Sequence, residues 1–187
     1  MICCVDSNII VWGIKKQATI GQEENIVRAE KIFARADEYN DFILVPTIVL
    51  AEVLATEPPA VRIRYLEIFT KNFIVAPFDE RAAMKYAEIL FGRLDEVKAI
   101  AEASGTPRQK MKADHLIIAT AIVNGASAIY STDGGLKNFA AGLIDVRDLP
   151  PLIEPQEFKV TGQLPLWAEI SDITHERKET DEDDQPF

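Results

Sequence analysis

Residues Lys112 to Asp133, KADHLIIATAIVNGASAIYSTD, are the stretch whose reading decides the fold. Leu116, Ile117, Ile118, Ala119, Ala121, Ile122 and Val123 are apolar on nearly every side of a helix, the pattern of a helix sunk between layers, and Asn124-Gly125 supplies its stop. Ala128-Ile129-Tyr130-Ser131 then reads as a short buried strand ending at Thr132-Asp133. Two carboxylates punctuate this unit. Asp114 is expected in the first turn or so of the helix, where the dipole favours negative charge, and Asp133 leaves the strand at its carboxyl end.

Outward from this unit the same alternation recurs. Met1 to Val5 is an apolar strand ending at Asp6-Ser7-Asn8, and Glu23 to Tyr39 carries Ile26, Val27, Ala29, Ile32, Phe33 and Ala36 as one helical stripe. Phe42 to Val45 is a second strand, followed by a helix over IVLAEVLA with Thr47 as its cap, stopped by Glu57-Pro58-Pro59. Glu52 is the one charge inside it. Val61 to Thr70 is a further helix, Phe73 to Val75 a third strand, and Asp79 caps a long amphipathic helix to about residue 103. Ser104-Gly105-Thr106-Pro107 breaks the pattern, and Arg108, Lys110 and Lys112 lead into Asp114. After Asp133, Gly134-Gly135 turns into a short helical piece and Leu143 to Val146 reads as a last strand. Alternating strands and helices imply a mostly parallel five-stranded sheet covered on both faces.

Composition limits the class. The 187 residues are 48% hydrophobic and 27% charged, ordinary for one globular domain. No run approaches the roughly 18 apolar residues of a membrane helix, and no signal-peptide pattern opens the chain, so a cytoplasmic protein with no membrane partner is expected. Cys3 and Cys4 are adjacent in a strand and read as reduced core residues. The net charge of −10 argues against coating nucleic acid by bulk electrostatics, but −6 of it lies in residues 169–187. Five of the ten prolines fall in residues 150–187. A domain over 1–149 is therefore expected, with a Pro-rich, acidic extension over 150–187 whose end is disordered. Within that extension Leu164 to Ile170 is apolar enough to dock on the domain or on a partner.

Four acids stand at strand ends or among apolar residues: Asp6, Glu52, Asp114 and Asp133. Each alone has an ordinary explanation as a cap, an exposed position, a dipole partner or a turn residue. Together they would repel strongly unless a cation lies between them. An all-oxygen set suits Mg²⁺ or Mn²⁺. His115 points about 100° away from Asp114 on a helix and reads as a packed or exposed histidine.

These residues resemble the PIN-domain ribonucleases, and among them the VapC-type toxins of toxin–antitoxin pairs. The likeness covers roughly residues 1–148 and comprises D-S-N (Asp6, Ser7, Asn8), the Glu of T-I-V-L-A-E (Glu52), D-H-L-I-I-A-T-A (Asp114 to Ala121) and S-T-D (Ser131 to Asp133). The resemblance implies a three-layer α/β/α sandwich. It implies that Asp6, Glu52, Asp114 and Asp133 form an acidic catalytic and metal site supported by Asn8 and Thr132. The activity implied is Mg²⁺- or Mn²⁺-dependent hydrolysis of single-stranded RNA, with an antitoxin protein and a second copy of the chain as partners. Arg108, Lys110 and Lys112 would either touch RNA phosphates or form a solvated helix start. Other readings are a stand-alone RNA-processing nuclease, a catalytically silent interaction module, and a phosphatase of the haloacid-dehalogenase kind. The last wants an acid where this chain has Asn8.

Overall fold

The computed structural model describes residues 1–93 and 108–152. Five short strands form its centre: β1 (Ile2–Val5), β2 (Phe42–Pro46), β3 (Ile74–Ala76), β4 (Ala128–Tyr130) and β5 (Asp145–Arg147). They are ordered β3-β2-β1-β4-β5 and every neighbouring pair is parallel. A strand whose two faces are both covered needs no polar side, which is why Cys4, Val5, Leu44 and Ile129 have no exposure at all.

The helices follow from the strand order. Connections from β1 to β2 and on to β3 step one way across the sheet, while those from β3 to β4 and β5 step the other way. Right-handed crossovers therefore place α1 (Ser7–Gly13), α2 (Glu24–Tyr39), α3 (Thr47–Ala55) and α4 (Pro59–Asn72) on one face. The opposite face receives α5 (Glu80–Gly92), α6 (Arg108–Val123) and α7 (Gly134–Ala140). This is the expected three-layer sandwich, with a sheet that is parallel throughout.

Several local expectations are corrected. Helix α1 was not anticipated: its residues SNIIVWG have no polar stripe because Ile9, Ile10, Trp12 and Gly13 are all buried. Gly13 lets α1 lie directly on α2, since a Cβ there would collide with the Phe33 ring. Helix α6 starts at Arg108, so Asp114 lies nearly two turns inside it and not in the first turn. Thr47 is the first residue of α3, with Pro46 in the cap position and no side-chain cap bond. Strand β5 starts two residues later than Leu143, and Ile74 rather than Phe73 opens β3. Helix α5 is capped as expected by Asp79, whose carboxylate accepts from Ala82 N–H at 2.9 Å. Its expected continuation to residue 103, like the whole of 153–187, lies outside the described residues.

One buried ion pair ties the first face together. Lys15, just after α1, pairs with Glu57, just after α3, with 3% and 0% of their side chains exposed. Lys15 Nζ also donates to Thr56 Oγ1 at 3.0 Å, and Arg62 Nε donates to the Glu57 carbonyl at 2.7 Å. Cys3 and Cys4 are free and buried, and burial pushes both thiols up.

Candidate active site

The strand order reverses direction between β1 and β4, and open α/β sheets bind ligands outside the carboxyl ends of strands at such a point. Asp6 and Asp133 leave those two ends. Val5 is in register with Tyr130, and Asp6 N–H donates to the Tyr130 carbonyl at 3.1 Å, so the ladder itself brings the two segments together.

Asp6 is 7% exposed and caps α1. Its Oδ1 accepts from Ser7 N–H at 2.7 Å, and its Oδ2 accepts from the Ser131 hydroxyl at 2.8 Å. Burial raises its carboxyl above the usual range. The Ser131 and Ser7 hydrogen bonds oppose that rise, and the Asp133 charge adds to it. Ser131 Oγ in turn accepts from Asp133 N–H at 3.0 Å. Asp133 caps α7, its Oδ1 accepting from Gly135 and Leu136 N–H at 2.7 and 3.1 Å.

The other two acids reach the same edge from helices on opposite faces of the sheet. Glu52, on α3, is an exposed residue, yet its carboxyl is raised by partial burial and by the Asp6 charge and lowered by a hydrogen bond from Ser7. The Ser7 hydroxyl, 3.4 Å from Asp6 Oδ1, thus stands between Asp6 and Glu52. Asp114 comes from α6. A Cβ on Gly135 would stand 3.0 Å from Asp133 Oδ1 and 3.6 Å from Asp114 Oδ2, so these two carboxylates flank the space that glycine leaves open.

This donor set suits a hard divalent cation: it is all oxygen, its charges are crowded, and a cradle that a Cβ would fill lies between Asp114 and Asp133. The acids approach one another in pairs. Among the described residues no group of three or more His, Cys, Asp or Glu side chains is arranged so as to hold a metal ion.

Two serines beside these acids were not singled out from sequence. Ser7 and Ser131 lie inside the D-S-N and S-T-D motifs, and only the fold shows that their hydroxyls, rather than the side chains of Asn8 and Thr132, hold Asp6. Asn8 and Thr132 are exposed. Lys112 is also exposed, two residues before Asp114 on α6, whereas the side chains of Arg108 and Lys110 lie outside the described set. His115 is 4% exposed and stacks on Phe139 with ring centroids 3.5 Å apart, and burial lowers its pKa to about 4. It is a packed histidine.

No curated protein matches the chain. Similar solved structures include VapBC2 from Rickettsia felis bound to a DNA fragment from its promoter, at 19% identity and TM-score 0.54, covering 80% of this chain and 100% of that one. VapBC-1 from nontypeable Haemophilus influenzae is similar at 18% identity and TM-score 0.52, covering 80% and 98%. DNA-bound VapBC from Salmonella typhimurium is similar at 17% identity and TM-score 0.54, covering 80% and 99%. At these identities the likeness is one of fold. The PIN domain model matches residues 3–142, which is most of the chain. The protein therefore belongs to the PIN domain family, a family of nucleases.

Proposed function

We propose that this chain is a ribonuclease that hydrolyses phosphodiester bonds of single-stranded RNA with Mg²⁺ or Mn²⁺, held by Asp6, Glu52, Asp114 and Asp133. The observation that carries the reading is the meeting of Asp6 and Asp133 at the reversal of strand order, joined through Ser131, with Glu52 and Asp114 approaching from either face. When bound, the cation supplies Lewis acidity at the phosphate and makes a water acidic enough to attack it. The protein's part is positioning. Ser7 and Ser131 fix both oxygens of Asp6, the first amides of α7 fix Asp133, and Lys112 lies exposed where an RNA phosphate would approach. The nuclease domain is residues 1–149, with 150–187 as an extension.

The same reading makes the chain the toxin of a toxin–antitoxin pair. Support comes from the three VapBC assemblies whose fold it shares over their full or nearly full length. The test is cleavage of a fluorogenic single-stranded RNA by the full chain. Activity with Mn²⁺ that disappears in chelator and in Asp6→Asn is expected. Undiminished activity under either condition overturns the metal mechanism. Co-expression with the product of the adjacent reading frame tests the toxin assignment: a stable, inactive complex is expected, and free active chain overturns it.

A further inference from the structure

The face of the sheet that carries α1 to α4 is unevenly covered. Those four helices lie over β1, β2 and β3, because the crossovers that build them move away from β4. Over β4 and β5 the sheet is left as one wall of a groove. Cys3, Ile43, Tyr130 and Arg147 line it from the strands, and Ile32, Arg35 and Tyr39 line it from α2. The groove has a volume of about 330 Å³. Parallel sheets bury both faces, so an open stretch of this kind calls for a cover.

The end of the described chain points into it. After β5, Leu149 is buried and α2 grips the backbone in sequence. Arg28 donates to the carbonyls of Leu149 at 3.0 Å and Pro150 at 2.8 Å, and Lys31 donates to Pro151 at 3.2 Å. As the chain advances from 149 to 151, its partners advance from Arg28 to Lys31 along one side of α2. The next position on that side is Arg35, which lies at the groove with its guanidinium 5.5 Å from the Tyr39 ring centroid. Arg28 and Arg35 are about 10 Å apart along the helix, a distance that roughly three extended residues cover.

We propose that residues 153–158, IEPQEF, continue this path and fill the groove between α2 and the β4–β5 side of the sheet. Its composition fits the walls. Ile153 and Phe158 meet an apolar floor, Pro155 favours the extended backbone the path needs, and Glu154 and Glu157 face Arg35 and Arg147. Because α2 ends where β2 begins, the segment runs toward the amino edge of the sheet. The acidic residues beyond 169 then emerge on the edge opposite Asp6 and Asp133, too far away to compete with RNA at that site. The inference stands without the nuclease reading, since no residue of that site takes part.

The test uses the full chain with benzoylphenylalanine in place of Phe158, irradiated and mapped by mass spectrometry in a mixture of light and heavy isotope-labelled copies. Expected are cross-links within one copy to the peptides containing Ile32 to Tyr39 or Tyr130. Cross-links only to other surfaces, only between copies, or at no more than the yield in denaturant overturn the proposal. Arg35→Glu should lower the specific yield about fivefold, the upper end for one exposed ion pair, and adding Glu154→Lys to that variant should restore it. Glu157→Lys alone attacks the pairing from the extension, where the core is untouched. Unchanged yield in both Arg35→Glu and Glu157→Lys also overturns the proposal.

Discussion

The Ser131 hydroxyl donates to Asp6 Oδ2 at 2.8 Å across 125 residues of sequence. The same oxygen accepts from Asp133 N–H, so one small side chain spaces the two acids that end β1 and β4. Ser131→Ala removes a bond that holds the Asp6 carboxyl down and leaves two buried polar groups short of a partner. The expected outcome is a stability loss of about 1–3 kcal/mol in urea unfolding, with the acid limb of the pH–rate profile moved to higher pH. A variant of wild-type stability with an unmoved limb would show that the bond matters to neither.

Asp6 gives stability a pH dependence of known sign. Its folded carboxyl titrates above the ordinary 3.8 because it is buried and near Asp133. The folded state therefore holds that proton more tightly than the unfolded chain. The contribution is most favourable below 3.8 and is lost as pH rises through the raised folded value. Asp6→Asn abolishes this loss. Relative to wild type, the variant should gain stability between acid and neutral pH, measured by urea unfolding at several pH values. A difference that is constant or shrinks as pH rises counts against a raised Asp6.

Asp133 has two roles that substitution can separate. Asn caps helices as well as Asp does, so Asp133→Asn should keep the bonds from Gly135 and Leu136 and unfold within a few tenths of a kcal/mol of wild type. Asp133→Ala should lose about 0.5–2 kcal/mol. Both should abolish the rise in melting temperature that saturating Mn²⁺ produces, about 2.7 kcal/mol of linkage at a hundred times the dissociation constant. Gly135→Ala, which pushes a methyl between Asp133 and Asp114, should weaken that rise as well. Undisturbed Mn²⁺ stabilisation in all three variants would place the cation elsewhere.

The Lys15–Glu57 pair predicts a sign reversal between single and double substitution. Lys15→Met alone strands a carboxylate in the interior and should cost about 3–5 kcal/mol. Lys15→Met with Glu57→Leu removes both charges and should return to within about 1 kcal/mol of wild type or exceed it. Thermal unfolding of the two variants decides the matter; additive losses would mean that packing rather than charge dominates at this position.

Much of the architecture is legible in the chain itself, because burial on both faces writes strands such as ICCV and FILVP as unbroken apolar runs between helices with an apolar stripe. The order and acidity of Asp6, Glu52, Asp114 and Asp133 are legible for the related reason that a charge among apolar residues stands out. Helix α1 was hidden by the same rule: a seven-residue helix buried on most sides has no polar face to give a period. The start of α6 was hidden because Arg108 to Lys112 is polar and follows a Pro-Gly break, and so reads as loop.

What the linear chain determined by itself, then, is the kind of fold and the identity of the acids, since hydrophobic patterning and charge are local properties. Tertiary structure alone decided that β1 neighbours β4, that the hydroxyl between Asp6 and Asp133 belongs to Ser131 and not Thr132, and that Lys15 meets Glu57 in the interior. Those facts depend on strand order and on which way each side chain leaves the pleat, and both are set by packing between residues more than a hundred positions apart or on separate helices.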